Sequence, residues 1–316
     1  MTAQPSTGLA QEKHGSALLL KKWKKQAGDY SQLLKLRINI MVVASAWCGA
    51  HLAAVKSGIV PGAAMWNALA GIGMVAAGTA AVNQIMERAP DAAMHRTRNR
   101  PLITGAIGLP WASLLSAISI FGGTLYLGFT TNWLTGWLTF GTCAMYLAIY
   151  TPLKKKTSWC TAIGAVPGAM PALLGWTAIR GQLEWQAVAL FAILFCWQFP
   201  HFHSIALLYR EDYARAGIRM LPVAEPDGRS TTIQVLGFSI ALIAATAMPL
   251  LLHMAGLVYF SSALLLGSAL LWFSIQLWHS QTATGKAPAR LPARRLLQAS
   301  VLYLPLLLTI MVIDAR

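Results

Sequence analysis

The sequence contains few charged residues, and acidic residues are especially scarce. Only 11% of its 316 residues are charged, and ten Asp or Glu stand against 25 Lys or Arg. Soluble domains carry about 25% charged residues, whereas here 56% of residues are hydrophobic and the mean hydropathy is +0.54. The shortage of charge excludes an ordinary soluble domain. Recurring apolar runs of about 20 residues, each long enough to cross a bilayer, predict a multi-pass membrane protein.

Other signals are absent as well. The four cysteines follow no zinc or disulfide spacing, so we interpret them as packing residues. The first 30 residues lack the apolar core of a cleavable signal peptide and carry four lysines between positions 21 and 25. The net charge of +15 would suggest nucleic acid in a soluble protein. In a membrane protein it indicates orientation and contact with anionic lipid instead, so we expect no nucleic-acid partner.

The apolar segments predict an all-α membrane protein with nine transmembrane helices around a central cavity. We expect the spans at about residues 38–55, 63–84, 111–130, 133–150, 161–179, 186–208, 233–252, 257–278 and 296–313. This divides the chain into a cytoplasmic basic N-terminal tail, residues 1–36, and a nine-helix transmembrane domain, residues 37–316.

The distribution of positive charge predicts which way the chain lies in the membrane. Cytoplasmic loops of membrane proteins are enriched in Lys and Arg. If the N-terminus is cytoplasmic, 22 of the 25 basic residues fall in cytoplasmic segments, and only Lys56, Arg180 and Arg316 lie outside. We therefore expect the N-terminus inside, the C-terminus outside and an odd number of spans.

The segment at residues 83–102, NQIMERAPDAAMHRTRNRPL, concentrates polar residues at the end of the second span. Asn83, Glu87 and Asp91 are four residues apart, which stacks them on one face of a helix. Oxygen ligands of this kind suit Mg²⁺, which shares its sites with phosphates. Pro90 should kink or end the helix near Ala89, because proline cannot donate to the preceding turn. An ordinary charged helix end remains the alternative.

Basic residues near this segment suggest an anionic substrate. Arg96, Arg98 and Arg100 follow directly, and guanidinium groups grip phosphate oxygens through paired donors. Lys154 lies four residues after Tyr150 and is a further candidate for a phosphate contact, whereas anchoring at the membrane surface explains Lys155 and Lys156. The arrangement predicts a metal–diphosphate site at the cytoplasmic membrane edge.

A second acidic cluster lies about one third of the chain further on. It contains Glu211, Asp212, Glu225 and Asp227. We expect it to face the first segment across one cavity, with Asp212 contacting metal or diphosphate and Glu211 a surface charge.

Histidines near the end of the sixth span are a separate candidate. Polar groups at this depth are costly and usually face a bundle interior. His201 could bind a metal or haem iron, move a proton, or bond a backbone carbonyl. We favour a functional role for His201 over one for His203.

Taken together, these motifs resemble the intramembrane aromatic prenyltransferase superfamily and, within it, the haem O synthase (protohaem IX farnesyltransferase) family. The matching runs are Asn83, Glu87 and Asp91 with RTRNRPL at residues 96–102, YTPLKKKT from 150, GAVPGAMPALLGW from 164, WQFPHF from 197 and YREDYARAGIRMLPV from 209. The resemblance covers nearly all of residues 30–316. Ala89, Pro90 and Glu87 depart from the family's usual first motif.

The resemblance implies a farnesyltransferase that converts haem B, farnesyl diphosphate and water to haem O and diphosphate. It implies Mg²⁺ held by four residues, diphosphate contacts from three more and a haem contact from one. These are Asn83, Glu87, Asp91 and Asp212 for the metal, Arg96, Arg100 and Lys154 for diphosphate, and His201 for haem. The expected location is the bacterial inner membrane, with a haem-modifying or oxidase-assembly protein as a possible downstream partner.

Three alternatives stay open on the sequence. A prenyltransferase for a quinone-type aromatic acceptor would use the same loops, although a histidine in the cavity fits haem better. A transporter would explain the prolines within the spans but not the acid–arginine segments. A haem chaperone would bind haem without consuming farnesyl diphosphate.

Overall fold

The computed structural model describes residues 7–60, 62–285 and 287–316, with side chains from Leu20 onward. Regular structure in these residues is helical, apart from one isolated antiparallel bridge between Ala255 and Ala315. The helices are α1 Thr7–Leu33, α2 Leu36–Lys56, α3 Ala63–Met86, α4 Arg88–Ala93, α5 Pro101–Thr104, α6 Leu109–Ala117, α7 Gly123–Thr130, α8 Trp133–Ala144, α9 Thr151–Leu153, α10 Cys160–Arg180, α11 Trp185–Leu208, α12 Arg210–Arg215, α13 Leu221–Ala224, α14 Arg229–Ala245, α15 Met248–Leu251, α16 Leu257–Thr282 and α17 Arg290–Ile313. The predicted all-α class is confirmed.

Eight helical segments of the described chain are long and apolar enough to cross a membrane. They are α2, α3, α6 with α7, α10, α11, α14 with α15, α16 and α17. The predicted fourth span, residues 133–150, consists of α8 followed by the π-helical turn Met145–Tyr150. This turn leads directly into α9, so the chain is helical without a break from Trp133 to Leu153.

Helix α10 lies at the centre of the bundle. About two thirds of its membrane-spanning residues are buried inside the protein, the largest share among the eight segments. Small residues allow its backbone to approach α2 closely. A Cβ on Gly175 would collide with the backbone of Ala46, and a Cβ on Gly49 would collide with that of Ala172. The two backbones are in direct contact at this crossing, so only glycine fits at positions 49 and 175.

Helices α2, α3, α8 and α11 pack against α10, whereas α14, α16 and α17 pack against one another and reach the centre through α11. The largest hydrophobic cluster joins residues of α2, α10, α11, α14, α16 and α17, with Trp176 and Tyr259 completely buried. All four cysteines are free, and Cys48, Cys143 and Cys160 are buried. Their interpretation as packing residues agrees with this burial.

Much of the expected N-terminal tail is helical. Helix α1 ends against α3, where the Gln84 amide donates to the carbonyl oxygens of Gln32, at 2.9 Å, and Leu33, at 2.6 Å. Lys35 then adopts a left-handed backbone, with φ 45° and ψ 51°, before α2 begins. Non-glycine residues rarely adopt this conformation. The turn places the Lys35 side chain at the end of α3, where the polar residues of the first acidic segment begin.

Candidate active site

Asn83, Glu87 and Asp91 follow one another across a break between two helices. Helix α3 ends at Met86, and α4 contains Asp91 and Pro90. The backbone N–H of Glu87 donates to the Asn83 carbonyl at 2.9 Å, and that of Asp91 donates to the Glu87 carbonyl at 2.8 Å. The four-residue spacing is therefore kept through the break, which lies slightly earlier than Pro90 alone predicts. Asn83 is 0% and Asp91 2% exposed.

Each member of this ladder, meaning Asn83, Glu87 and Asp91, contacts one cation from elsewhere in the chain. The Lys35 ammonium donates to Asn83 Oδ1 at 2.8 Å. The Lys154 ammonium lies 2.9 Å from Glu87 Oε1, and the Arg100 guanidinium forms an ion pair with Asp91. Buried charges need such partners. The result is one partly buried cluster of two carboxylates, one amide and three cations, in which Asn83 and Asp91 are almost fully buried.

The cluster shifts the protonation of its members. Burial lowers the pKa of Lys35 to about 7, and the charges of Arg100 and Lys154 act in the same direction. Burial raises the pKa of Asp91 above its ordinary value, although the Arg100 charge and hydrogen bond oppose this. Burial disfavours the charged form of Lys154 too, but the oxygens of Tyr150, Tyr146 and Glu87 raise its pKa overall.

The oxygen donors of the ladder suit a hard divalent cation. Asn83 Nδ2 donates to Thr151 Oγ1 at 3.2 Å, which fixes the amide so that Oδ1 faces the charged cluster. Carboxylate and amide oxygens on one side, with ammonium and guanidinium groups beside them, fit a magnesium ion that carries phosphate ligands. The expected residues at the first site are therefore compatible with Mg²⁺.

Aromatic rings border the cluster on one side. The Lys154 ammonium lies 4.4 Å from the ring centroid of Tyr150 and 5.9 Å from that of Tyr146. Gly164 of α10 packs against the Tyr150 ring and leaves no room for a Cβ there. Ring faces stabilise cations, so these tyrosines can act on Lys154 or on positive charge developing nearby.

The second acidic segment, residues 209–227, contacts the first segment through an apolar cluster and through Arg96. Met94 forms an apolar cluster with Tyr213, Ala206 and Ile218. The backbone N–H of Arg219 donates to the Lys154 carbonyl at 2.8 Å. The two segments are therefore adjacent, and the cavity that the sequence predicts between them stays a prediction.

Arg96 and Asp212 face other partners than the ladder. The Arg96 guanidinium lies 5.1 Å from the Tyr209 ring and 5.9 Å from the Tyr213 ring, and it donates to Tyr213 Oη at 3.4 Å. The Asp212 carboxylate accepts from Arg215 at 3.1 Å. Within the described residues, no three His, Cys, Asp or Glu side chains lie close enough to hold a metal. Asp212 thus does not join Glu87 and Asp91 in a single carboxylate group here.

The histidines of α11 lie against two other helices. His201 Nδ1 is 3.0 Å from Ser300 Oγ of α17, and its ring stacks on Trp197 at 4.7 Å. His203 is 1% exposed, with Nε2 3.0 Å from Gln234 Oε1 of α14 and no partner for Nδ1. His201 is the more accessible of the two.

One member of the cluster was not anticipated from the sequence. In the sequence, Lys35 is one more basic residue in front of an apolar span. The residues around it do not predict its left-handed backbone conformation. The only available signal was its position immediately before the first span, and positive-inside anchoring explains that position equally well.

Comparison with known proteins finds relatives over most of the chain. The model of the UbiA prenyltransferase family matches residues 42–301. A protoheme IX farnesyltransferase of Koribacter versatilis (strain Ellin345) is 51% identical over 287 residues, covering 90% of this chain and 93% of its own. A second, of Solibacter usitatus (strain Ellin6076), is 41% identical over 299 residues, covering 90% and 98%.

Solved structures share the fold at low sequence identity. A digeranylgeranylglyceryl phosphate synthase superposes with a TM-score of 0.75 and 16% identity, covering 92% of this chain and 98% of its own. A UbiA homologue from Archaeoglobus fulgidus, bound to GPP and Mg²⁺, superposes with a TM-score of 0.56 and 14% identity, covering 90% and 99%. With the family model matching most of its length, this chain belongs to the UbiA prenyltransferase family.

Proposed function

We propose that the protein is a protohaem IX farnesyltransferase, which converts haem B, farnesyl diphosphate and water to haem O and diphosphate. The observation that carries this proposal is the partly buried cluster in which Asn83, Glu87 and Asp91 each contact a cation. Relatives that match 90% of the chain at 51% and 41% identity bear the same activity in their names.

The cluster has the charges that departure of diphosphate requires. As the bond between farnesyl C1 and the diphosphate oxygen breaks, negative charge grows on the leaving group. Lys154 and Arg100 are placed to meet it with charge-assisted hydrogen bonds. Mg²⁺, held by Asn83, Glu87 and Asp91 and joined by Asp212, would neutralise diphosphate charge when bound. Arg96 adds positive charge at the same edge.

The remaining steps take place in apolar surroundings. A vinyl carbon of haem B forms a bond to farnesyl C1, and water then adds to the resulting carbocation and releases one proton. The rings of Tyr146 and Tyr150 border the cluster and can stabilise positive charge on the farnesyl group. His201, with Nδ1 directed at Ser300, is the candidate haem contact.

We further infer how the protein lies in the membrane. The continuous helical stretch from Trp133 to Leu153 supplies the ninth span beside the eight long segments. With the N-terminus inside, 22 of 25 basic residues and both acidic segments lie on the cytoplasmic side, and the C-terminus lies outside. The membrane is the bacterial inner membrane, where a haem-modifying or oxidase-assembly protein would take up the product.

The direct test is turnover by the purified protein. Haem B, farnesyl diphosphate and Mg²⁺ are incubated with it, and porphyrins are resolved by chromatography and mass. Hydroxyethylfarnesyl haem is the expected product. Unchanged haem in folded protein that binds farnesyl diphosphate would contradict the proposal, and turnover with a quinone precursor would then identify the acceptor.

A further inference from the structure

A groove of about 650 Å³ lies between α14 and α16, lined by none of the candidate active-site residues. Its wall includes Arg229, Ile233, Gly237 and Ile240 of α14. Ile233 and Ile240 are 53% and 55% exposed, so this face of the bundle points away from the core. Trp278 and Gln281 of α16 form part of the opposite side.

Polar groups without partners gather at one end of this groove. The Arg229 guanidinium makes no hydrogen bond or ion pair with any described residue, and the nearby Asp227 carboxylate, which accepts from the Arg229 backbone N–H, is not part of the groove wall. The Gln281 side-chain amide lines the groove, is not completely buried and makes no hydrogen bond with any described residue. Its N–H and C=O groups can therefore bond a ligand. This end of the groove therefore offers one positive charge and one amide to a polar ligand.

The rest of the groove has the length of a lipid chain. Arg229, Ile233, Gly237 and Ile240 occupy successive turns on one face of α14. At 1.5 Å per residue, the eleven steps from Arg229 to Ile240 cover about 16 Å. The hydrocarbon core of a bilayer is about 30 Å thick, so this length matches about one leaflet. The shape is that of a polar head site followed by a trough for one acyl chain.

We propose that this groove binds an anionic phospholipid of the surrounding membrane. The phosphodiester would accept hydrogen bonds from Arg229 and the Gln281 amide, and one acyl chain would lie along Ile233, Gly237 and Ile240. Among the described residues that line the groove, Arg229 is the one cation, which matches the single charge of a phosphodiester. A prenyl diphosphate carries more charge, and these described lining residues include no carboxylate and fewer cations than the three that contact the ladder.

The test counts lipids bound to the detergent-purified protein by native mass spectrometry. Phosphatidylglycerol and phosphatidylcholine are added separately to wild type and to Arg229→Gln. We expect wild type to bind phosphatidylglycerol about fivefold more tightly, since a basic residue near anionic lipid contributes about that much. Arg229→Gln should lose this preference. Arg294→Gln, an exposed arginine of α17 outside the groove, is the matched control and should keep it.

A second variant tests the location independently of charge. A Cβ on Gly237 would meet no atom within 4 Å, so Gly237→Leu fills the trough without a clash. This variant should fold normally and lose the tightly bound lipid. If Arg229→Gln does not fold, Gly237→Leu alone tests the proposal. Equal binding of both lipids by wild type, an unchanged preference in Arg229→Gln, or unchanged lipid binding in Gly237→Leu would overturn the proposal. Displacement of the lipid by inorganic diphosphate would overturn it too, by assigning the groove to a diphosphate ligand.

Discussion

The two acidic segments hold their charges in different ways. In the first, Asn83 and Glu87 contact Lys35 and Lys154, which lie 48 and 67 residues away in the sequence. In the second, Asp212 pairs with Arg215, only three residues along the same short helix. Two contacts of the first segment come from distant parts of the chain, and its third pair, Asp91–Arg100, has an almost fully buried carboxylate. The pair in the second segment is local, and its arginine is exposed.

This difference indicates what each segment contributes to binding. Exposed local ion pairs contribute about 0–1 kcal/mol, because solvent screens them and two side chains lose freedom. Breaking a buried pair leaves an uncompensated charge and costs about 3–5 kcal/mol. The first segment is therefore preorganised, while Asp212 can leave Arg215 for a ligand at little cost. Substitutions in the two segments should differ accordingly.

The largest effect is expected at the buried pair of the first segment. Asp91→Asn removes a candidate metal ligand and leaves Arg100 without its carboxylate. Turnover should fall about 100- to 1,000-fold, the size expected for losing one preorganised electrostatic contact. The measurement is haem product formed over a Mg²⁺ titration, with Asp227→Asn as an exposed control. Full turnover by Asp91→Asn at limiting Mg²⁺ would remove Asp91 from the metal site.

Lys35 is the one cation of the first-segment cluster that the sequence did not predict, and its substitution tests whether it contributes to binding. Lys35→Met removes the ammonium that contacts Asn83 Oδ1 while keeping a long side chain. The KM for farnesyl diphosphate should rise about tenfold, because a positive charge beside the proposed diphosphate site is lost, while the KM for haem stays unchanged. Lys56→Met is the matched control, since Lys56 contacts only the exposed His253 carbonyl. An equal rise in both KM values would show a structural role instead.

A smaller effect is expected in the second segment. Asp212→Asn breaks only the local pair with Arg215, so the loss should come from weaker metal binding alone. Losing such a supporting ligand should lower apparent Mg²⁺ affinity about tenfold with little change in thermal stability. Arg215→Gln, which frees the carboxylate without removing it, should be nearly neutral. A loss as large as that of Asp91→Asn would mean that both segments are equally preorganised.

The sequence predicts contacts between residues that are close together along the chain better than contacts between separate loops. The spacing of Asn83, Glu87 and Asp91 is a local helical property, and their stacking, the break near Pro90 and the all-α fold were all foreseen. The partners of Arg96, two tyrosine rings, depend on how two loops pack and left no pattern. The predicted bounds of the fourth span, residues 133–150, agree with the helix from Trp133 to Tyr150, although hydropathy does not reveal that its last turn is π-helical.

The value of a local pair can be measured away from the site. Arg180 and Glu184 form an i,i+4 pair at 2.8 Å, and Glu184 also accepts from the Trp176 indole at 2.8 Å. The hydrogen bond from Arg180, despite an opposing effect of burial, lowers the pKa of Glu184 in the folded protein. A carboxyl with a lowered folded-state pKa stabilises the fold above its unfolded pKa of about 4.3. Glu184→Gln should therefore lower the unfolding midpoint at pH 7 by only about 2 °C.

The effect of Glu184→Gln on the unfolding midpoint should depend on pH. Between pH 7 and 5 the difference between wild type and Glu184→Gln should stay constant, because Glu184 is ionised in both folded and unfolded chains. As the pH falls below about 4.3 and through the lowered folded-state pKa, the contribution of Glu184 disappears and the two midpoints converge. Thermal unfolding in detergent from pH 7 to 3 measures this. If the midpoints of wild type and Glu184→Gln differed at pH 7 by as much as the loss of a buried pair produces, local pairs in this bundle would not be weak. The contrast between the two acidic segments would then rest on the burial of the carboxylates alone.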